Sequence, residues 1–204
     1  MNLNSIVLGY HGCTSLIAEQ IFQGKIKHLK KSHNSYDWLG DGIYFWENDP
    51  QRAFNWAEKN IQRKRMQNDT AAVVGAIIAP KLCLDLTTLE DIKLIKDSYK
   101  LYKCYNLLKG FSTSQFPKNH CAYTGDKDIL CRDLDCAVIQ FLHTFRKVEK
   151  RPAFDSVRGA FHEGAPAFEG SMIMEKTHIQ WAIRNPEKCI LGYFRPLQVT
   201  MCKS

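Results

Sequence analysis

The sequence predicts a mixed α+β fold that forms a single domain over residues 1–204. Runs of β-branched and aromatic residues lie near both ends of the chain, and the longest amphipathic helical patterns lie between them. Strand and helix patterns do not alternate regularly, which disfavours a doubly wound parallel sheet. The chain has no internal repeat, low-complexity tract or linker rich in Pro, Gly and Ser, and 204 residues suffice for one buried core.

The first third of the chain predicts two strands and two helices. Residues 5–12 (SIVLGYHG) form a β-type run that ends at glycine, and residues 14–24 (TSLIAEQIFQG) follow as a short helix. The aromatic run GIYFW at residues 42–46 predicts the next strand. A helix is then expected from Asp49 and Pro50, which suit its N-cap and first position, to about residue 67.

The remaining two thirds predict two long helices among several strands. The expected strands are residues 71–79, 82–86, 153–164, 171–185 and 188–197, with a glycine-rich loop between the third and the fourth. One amphipathic helix should run from Thr87 or Thr88 to Gly110. A second should lie within residues 127–150, capped near Asp133 and ending in lysines.

The composition of the chain limits the classes of protein to which it can belong. The net charge of +7 and pI near 9.0 favour anionic partners such as nucleic acid or nucleotide. No apolar run approaches the roughly 18–20 residues that a membrane-spanning helix needs, and the first residues lack a secretory pattern, so a cytoplasmic protein is expected. None of the eight cysteines forms a Cys-x-x-Cys pair, which favours buried reduced thiols over a zinc site.

The common nucleotide and hydrolase fingerprints are absent from the sequence. It contains no Gly-x-Gly-x-x-Gly that opens a helix after a strand, no P-loop, no Gly-x-Ser-x-Gly elbow and no His-x-x-x-His pair. Rossmann, P-loop, α/β-hydrolase and zinc-protease functions therefore have no support.

Two segments in the first third suit a planar, polar ligand. In YHG at residues 10–12, a histidine at a strand end can bond a hydroxyl, and the glycine permits close approach to the backbone. In GDGIYF at residues 40–45, Tyr44 can present its ring to a heterocycle, with Phe54 or Trp56 as the opposite wall. Each segment alone also fits an ordinary structural role.

A third segment, EKTHIQWAIRN at residues 175–185, combines polar and apolar positions. On a strand, His178 and Gln180 point to one face, and Ile179 and Trp181 point to the other. Two polar side chains on one face predict a polar cleft, and a half-exposed strand is the simpler alternative.

Together the three segments resemble the ADP-ribosyltransferase superfamily, in the histidine–tyrosine–glutamate branch of poly(ADP-ribose) polymerases and diphtheria-type toxins. YHG is similar to the family's histidine–glycine motif, GDGIYF to the segment of its stacking tyrosine, and the polar strand to that of its catalytic acid. The resemblance covers most of the chain and, with HIQWAIRNPEKCILGYFRP, is greatest to bacterial toxin-type members of anti-phage toxin–antitoxin–chaperone systems. It implies a split mixed β-sheet with peripheral helices, NAD as substrate and no metal.

The resemblance also implies roles for individual residues. It makes His11, Tyr44 and Gln180 the expected catalytic residues. The expected NAD-binding residues are His11, Gly12, Cys13, Gly42, Tyr44, Phe54 and Trp56. Tyr44 would stack on nicotinamide, the Gly12 backbone would hold the carboxamide, and His11 would hold a ribose hydroxyl on the adenosine side.

One position departs from the family pattern, because Gln180 stands where the family has a glutamate. The amide keeps a hydrogen bond to the ribose but lacks the charge, a loss of a few kcal/mol of transition-state stabilisation. Gln180 serves alone in one interpretation, a nearby acid replaces it in a second, and the enzyme is impaired in a third. By the resemblance, residues 162–177 form the acceptor loop. Its candidate acids are Glu163, Glu169 and Glu175, and His178 of the following strand is a further candidate residue.

The expected activity is mono-ADP-ribosylation of a macromolecule, with RNA as the first candidate acceptor. A protein side chain is the second candidate, and a non-catalytic NAD or ADP-ribose-binding module is a separate alternative. Expected phosphate contacts are Arg132, Arg146, Arg158 and Arg184, and expected stacking residues are Trp46, Phe168 and Trp181. A toxin of this kind implies a neutralising antitoxin protein and no membrane partner.

Overall fold

The computed structural model describes residues 2–3, 5–66, 68–125 and 128–197, and it has the mixed α+β composition that the sequence predicts. The strands are β1 (Asn2–Leu3), β2 (Val7–Thr14), β3 (Ile43–Glu47), β4 (Ala71–Ile78), β5 (Lys81–Asp85), β6 (Asn119–His120), β7 (Cys131–Arg132), β8 (Ser156–Phe161), β9 (His178–Ile183) and β10 (Ile190–Phe194). The helices are α1 (Ser15–Phe22), α2 (Pro50–Arg63), α3 (Leu89–Leu108), α4 (Asp133–Val148) and α5 (Pro186–Cys189).

An eight-stranded sheet in the order β1-β5-β8-β9-β3-β2-β4-β10 forms the centre of the fold. Among the described residues its ladders are antiparallel except for β5 with β8, which pair in parallel. Strands β6 and β7 form a separate two-stranded sheet. The mostly antiparallel order agrees with the expectation that no doubly wound sheet is present.

The sheet is interrupted between β2 and β3. These two strands are in register only at Gly9 with Glu47 and at Tyr10 with Trp46. In contrast, β2 pairs with β4 over its whole length, and β3 pairs with β9 over four residues. Beyond Tyr10 the sheet therefore divides into a β2/β4/β10 half and a β3/β9/β8/β5/β1 half.

Capping residues explain where the helices begin. The Asp49 carboxylate accepts a hydrogen bond from the Arg52 N–H at 2.9 Å, and Pro50 follows in the first turn, as predicted. The Thr88 hydroxyl caps α3 through the Asp91 N–H at 3.3 Å. Helix α2 ends at Arg63, earlier than predicted, because Arg65 has a left-handed φ of 53° that cannot continue a helix. Residue 67 lies outside the described residues.

Helix α4 begins at Asp133, close to the predicted cap, although its N-cap residue is Arg132 and no side chain caps it; the Asp133 carboxylate accepts a hydrogen bond from the Ser35 hydroxyl at 2.7 Å. One other prediction of local structure is wrong. The strand predicted from residue 171 begins only at His178, because residues 163–176 form a turned loop with its own backbone bonds, such as Ala167 N–H to the Ile173 carbonyl. Gly170, at φ 75°, permits the reversal within this loop.

Helices cover both faces of the sheet. On one face, α1 packs on β2, β4 and β10, and its buried Ile21 belongs to the same core cluster as Phe45 and Val74. On the other face, α4 packs on β5, β8 and β9 through Leu142 and Val157, while α2 packs on β2, β3 and β4 around Ala53. The interruption between β2 and β3 thus lies beneath the boundary between α2 and the α4 side of the molecule.

Three findings concern broad properties of the described residues. No helix among them is both long and apolar enough to cross a membrane. No disulfide joins their cysteines, and most of these thiols are partly or fully buried. No group of three or more His, Cys, Asp or Glu side chains within these ranges is arranged to hold a metal ion.

Candidate functional site

The ring of Tyr44 is held in a fixed position on β3. Its hydroxyl donates a hydrogen bond to the Gly40 carbonyl at 2.8 Å and accepts one from the Leu39 N–H at 3.0 Å. Burial raises the pKa of Tyr44 well above its usual value, so the side chain stays a neutral phenol. The residue is half-buried and packs against the core cluster that contains Leu39 and Ile139. Tyr44 can therefore form one rigid wall of a slot.

Gln180 lies on the strand next to Tyr44 and on the same face of the sheet. It is in register with Trp46 of β3 on one side and Gly159 of β8 on the other. Because Tyr44 is two residues from Trp46, its side chain points to the same face as that of Gln180. We call this surface the Tyr44 face. His178, two residues from Gln180, belongs to it as the sequence predicts.

Trp38 is a site residue that the sequence analysis missed. Its indole Nε1–H donates a hydrogen bond of 2.7 Å to the Gln180 amide oxygen. A Cβ added to Gly159 would lie 2.5 Å from the Trp38 ring, so the glycine provides the space for the indole to pack on β8. The only sequence signal was the position of Trp38 beside the GDGIYF segment. Trp38 fixes the orientation of the amide that was expected to contact the ribose.

His11 reaches the interruption of the sheet from the opposite face. Its ring lies 5.8 Å from that of Phe45, and its Nδ1 is 2.8 Å from the backbone carbonyl oxygen of Tyr44. Burial lowers the pKa of His11 more than this hydrogen bond raises it, so the imidazole is neutral at physiological pH. A carbonyl only accepts, which places the proton on Nδ1 and leaves Nε2 as an acceptor. Nε2 has no hydrogen-bond partner among the described residues.

Gly12, Gly42 and Cys13 are held by packing. A Cβ on Gly12 would lie 2.0 Å from the Ala53 carbonyl oxygen, so α2 occupies the space above it on the Tyr44 face. Both backbone groups of Gly42 bond to Ser32. Cys13 is buried in the core on the opposite face, and burial raises its pKa to about 12. Both backbone groups of Gly42 and the side chain of Cys13 are therefore engaged within the fold, and the Gly12 backbone is the stronger candidate for a ligand contact.

Two aromatic residues of α2 lie over the Tyr44 face. Phe54 is half-buried and packs with Trp46 and Val73. Trp56 is 42% exposed, and its ring is 5.9 Å from that of Trp46. Since Trp46 is two residues from Tyr44 on the same face, Trp56 is the more accessible candidate for a second wall.

The three candidate acids of the loop differ in how readily they could take the place of Gln180. Glu163 is paired with Arg52 at 2.7 Å, and both side chains are largely buried. Glu169 and Glu175 are exposed. His178 shares the face of Gln180 but is 8% exposed, with its ring stacked at 5.6 Å on Phe161. The prediction that His178 opens into a polar cleft is therefore wrong, and moving Glu163 would break a shielded ion pair.

Most of the expected phosphate and stacking contacts are engaged within the fold. Arg158 donates to Glu47 at 2.9 Å and to Asp85 at 3.3 Å, in a network that the sequence did not reveal. Buried Arg146 donates to the Pro152 carbonyl, and Arg184 donates to the Phe154 carbonyl. Trp46 and Trp181 are 4% and 1% exposed and cannot stack on a base. Arg132 and exposed Phe168 remain candidates.

Comparison with known proteins gives one similarity and no assignment of function. An uncharacterized protein of Methanocaldococcus jannaschii is 28% identical over 195 residues, which cover 87% of this chain and 81% of that protein. No protein-family model and no solved structure matches the chain. The similarity carries no activity to the chain, because the description of the archaeal protein names none.

Proposed function

We propose that the chain is a mono-ADP-ribosyltransferase that cleaves NAD and transfers ADP-ribose to RNA, as a bacterial anti-phage toxin. The observation that carries this proposal is the interruption between β2 and β3. The ring of Tyr44 and the amide of Gln180 share one face beside it, and the His11 ring lies at its edge, with no hydrogen-bond partner for Nε2 in the described part of the chain. A split sheet of this kind also fits the resemblance of the sequence motifs to ADP-ribosyltransferases.

The side chains at the interruption have suitable chemistry for the nicotinamide half of NAD. The fixed Tyr44 ring offers a face for stacking on the planar pyridine. Nε2 of neutral His11 can accept a hydrogen bond from a ribose hydroxyl. The Gly12 backbone, beyond the last β2 residue in register with β3, can bond the carboxamide.

In the proposed reaction, the bond between C1′ of the ribose and the nicotinamide nitrogen breaks first. Its electron pair leaves with nicotinamide, and positive charge develops on the ribose. The Gln180 oxygen has two lone pairs, one of which accepts from Trp38, so the other can accept a hydrogen bond from the ribose 2′-hydroxyl. A nucleophilic oxygen or nitrogen of the acceptor then bonds to C1′ and releases its proton. Orientation of the reactants supplies most of the rate enhancement, because Gln180 carries no charge.

The net charge of +7 supports RNA as the acceptor, because phosphates attract an excess of Lys and Arg. A single transfer is proposed rather than polymer synthesis, since chain-elongating relatives depend on the glutamate that Gln180 replaces. A toxin that acts in the cytoplasm also requires a neutralising antitoxin protein in its own host. Transfer to a protein side chain is the alternative within the same chemistry.

A second function, an NAD-binding module without catalysis, is favoured by one observation. Gln180 is uncharged, and its oxygen is already engaged by Trp38 at 2.7 Å. Such a module would bind NAD in the same slot but would not release nicotinamide.

Incubation with NAD labelled in the adenosine half tests these functions. We expect nicotinamide release and label on RNA, with loss of both in Tyr44→Ala. The matched control is Tyr105→Ala, which removes a 51% exposed ring on α3 and should keep activity. Label on protein alone would overturn the RNA acceptor, and NAD binding without release would establish the binding module. Absence of NAD binding by the wild-type chain would refute the whole proposal.

A further inference from the structure

A cavity of about 480 Å³ lies between α3, the start of α4 and the end of β8. This volume is in the range of ~300–1,000 Å³ that small-molecule sites occupy. The rings of Trp38, Tyr99 and Phe161 contribute to its wall, and Lys96 and Arg132 add positive charge. The catalytic residues proposed above do not line it. A ligand of the cavity would therefore be bound apart from His11, Tyr44 and Gln180.

Arg132 is a pre-positioned cation at this cavity. Its guanidinium lies 4.9 Å above the Phe161 ring, its Nε donates to the Ile129 carbonyl at 2.6 Å, and its Nη1 is 3.4 Å from the Asp135 carboxylate. Within the described ranges, Nη2 has no hydrogen-bond partner. The guanidinium is thus fixed by three contacts and keeps N–H groups for an anionic ligand.

A ring and an ammonium group lie side by side on α3. Tyr99 is 38% exposed and follows exposed Lys96 by three residues, so the two side chains are neighbours on one helix face. Exposed Lys93 adds a further positive charge three residues before Lys96 on the same helix, whereas Lys100 is paired with Asp97 at 2.7 Å. Aromatic faces next to cations are the combination that binds the bases and phosphates of single-stranded nucleic acid.

Trp38 connects the cavity to the proposed catalytic site. Its indole lines the cavity, and its Nε1–H donates to the Gln180 oxygen at 2.7 Å. One indole therefore separates the cavity from the amide proposed to hold the ribose. An occupant of the cavity would contact the same side chain that orients Gln180.

We propose that this cavity binds one nucleotide of the RNA acceptor, which rests on the transferase function proposed above. The base lies against Trp38 and Tyr99, and its phosphate contacts Lys96 and Arg132. An apolar small molecule would not use the two cations, whereas a nucleotide uses both the rings and the charges. Binding here positions an adjoining atom of the acceptor toward the C1′ of NAD.

The test measures binding of a fluorescein-labelled single-stranded RNA without NAD. The double variant Lys96→Ala/Tyr99→Ala removes one cation and one ring from the cavity. Its control, Lys103→Ala/Tyr105→Ala, removes the same groups from α3 outside the cavity lining. We expect the cavity variant to lose about tenfold in affinity and its salt slope to fall by about 1, with a loss of no more than about twofold in the control.

A second measurement uses only the wild-type chain, so it does not depend on the folding of a variant. Photo-crosslinking with 4-thiouridine RNA and mass spectrometry should identify peptides that contain Trp38 or Tyr99. Equal losses in both double variants, crosslinks confined to other peptides, or no RNA binding by the wild-type chain would overturn the cavity proposal. Because NAD is absent, these results are independent of nicotinamide release, whose failure would instead refute the proposed transferase.

Discussion

His143 of α4 provides a quantitative test of how burial controls stability. Its side chain is 4% exposed, and neither ring nitrogen has a hydrogen-bond partner in the described part of the chain. Burial, and then the charges of Arg184 and Arg146, lower the pKa of His143 from its usual 6.5 to about 3. Between those values the unfolded chain binds a proton that the folded chain does not. The contribution of His143 to stability must therefore fall as the pH falls from about 6.5 toward 3.

The magnitude follows from the two pKa values of this histidine. At pH 5 its unfolded form is almost fully protonated, and linkage gives a loss of about 2 kcal/mol relative to pH 7.5. Urea unfolding of the wild-type chain and His143→Leu at both pH values measures it. We expect the variant to lose about 2 kcal/mol less on acidification, whereas His120→Leu, which removes an exposed histidine, should behave as wild type. Equal pH dependence of all three proteins would refute the burial of a neutral His143.

Three further substitutions test the contacts of the candidate site. Tyr44→Phe leaves the Leu39 N–H and the Gly40 carbonyl without their partner, so urea unfolding should show a loss of about 1–3 kcal/mol. Gly12→Ala places a methyl group 2.0 Å from a backbone oxygen of α2, so we expect a loss of about 3 kcal/mol or more, and wild-type stability would contradict the packing. Trp38→Phe removes the hydrogen bond to Gln180, so kcat for nicotinamide release should fall severalfold with little change in KM; an unchanged kcat would show that Trp38 does not position the amide.

The sequence predicts local features of this chain well. Alternation places His178 and Gln180 on one face, and Asp49 and Thr88 begin their helices, because these features depend on near neighbours. The prediction fails in the segment before β9, where apolar residues indicate a strand. Met172 of this segment is 87% exposed in a turned loop.

The parts of the site that the sequence could not predict depend on contacts between distant residues. The Trp38 to Gln180 bond joins positions 142 residues apart, and no local period encodes it. The end of pairing between β2 and β3 after Tyr10 is likewise a property of the assembled sheet. Both features lie at the centre of the proposed site, so sequence motifs identified its residues without showing how they are arranged.

The role proposed for Gln180, at the position where the ADP-ribosyltransferases that the sequence resembles have a glutamate, can be tested through the Trp38 hydrogen bond. In Gln180→Glu the carboxylate would still accept from the Trp38 indole, and this bond would become charge-assisted and stronger. The added charge would also stabilise the positive ribose, so nicotinamide release should rise by about tenfold or more. Gln180→Leu keeps similar volume but no acceptor and should abolish release. If Gln180→Glu is folded yet slower than wild type, the amide N–H groups of Gln180 must serve the reaction, because they are what the substitution removes.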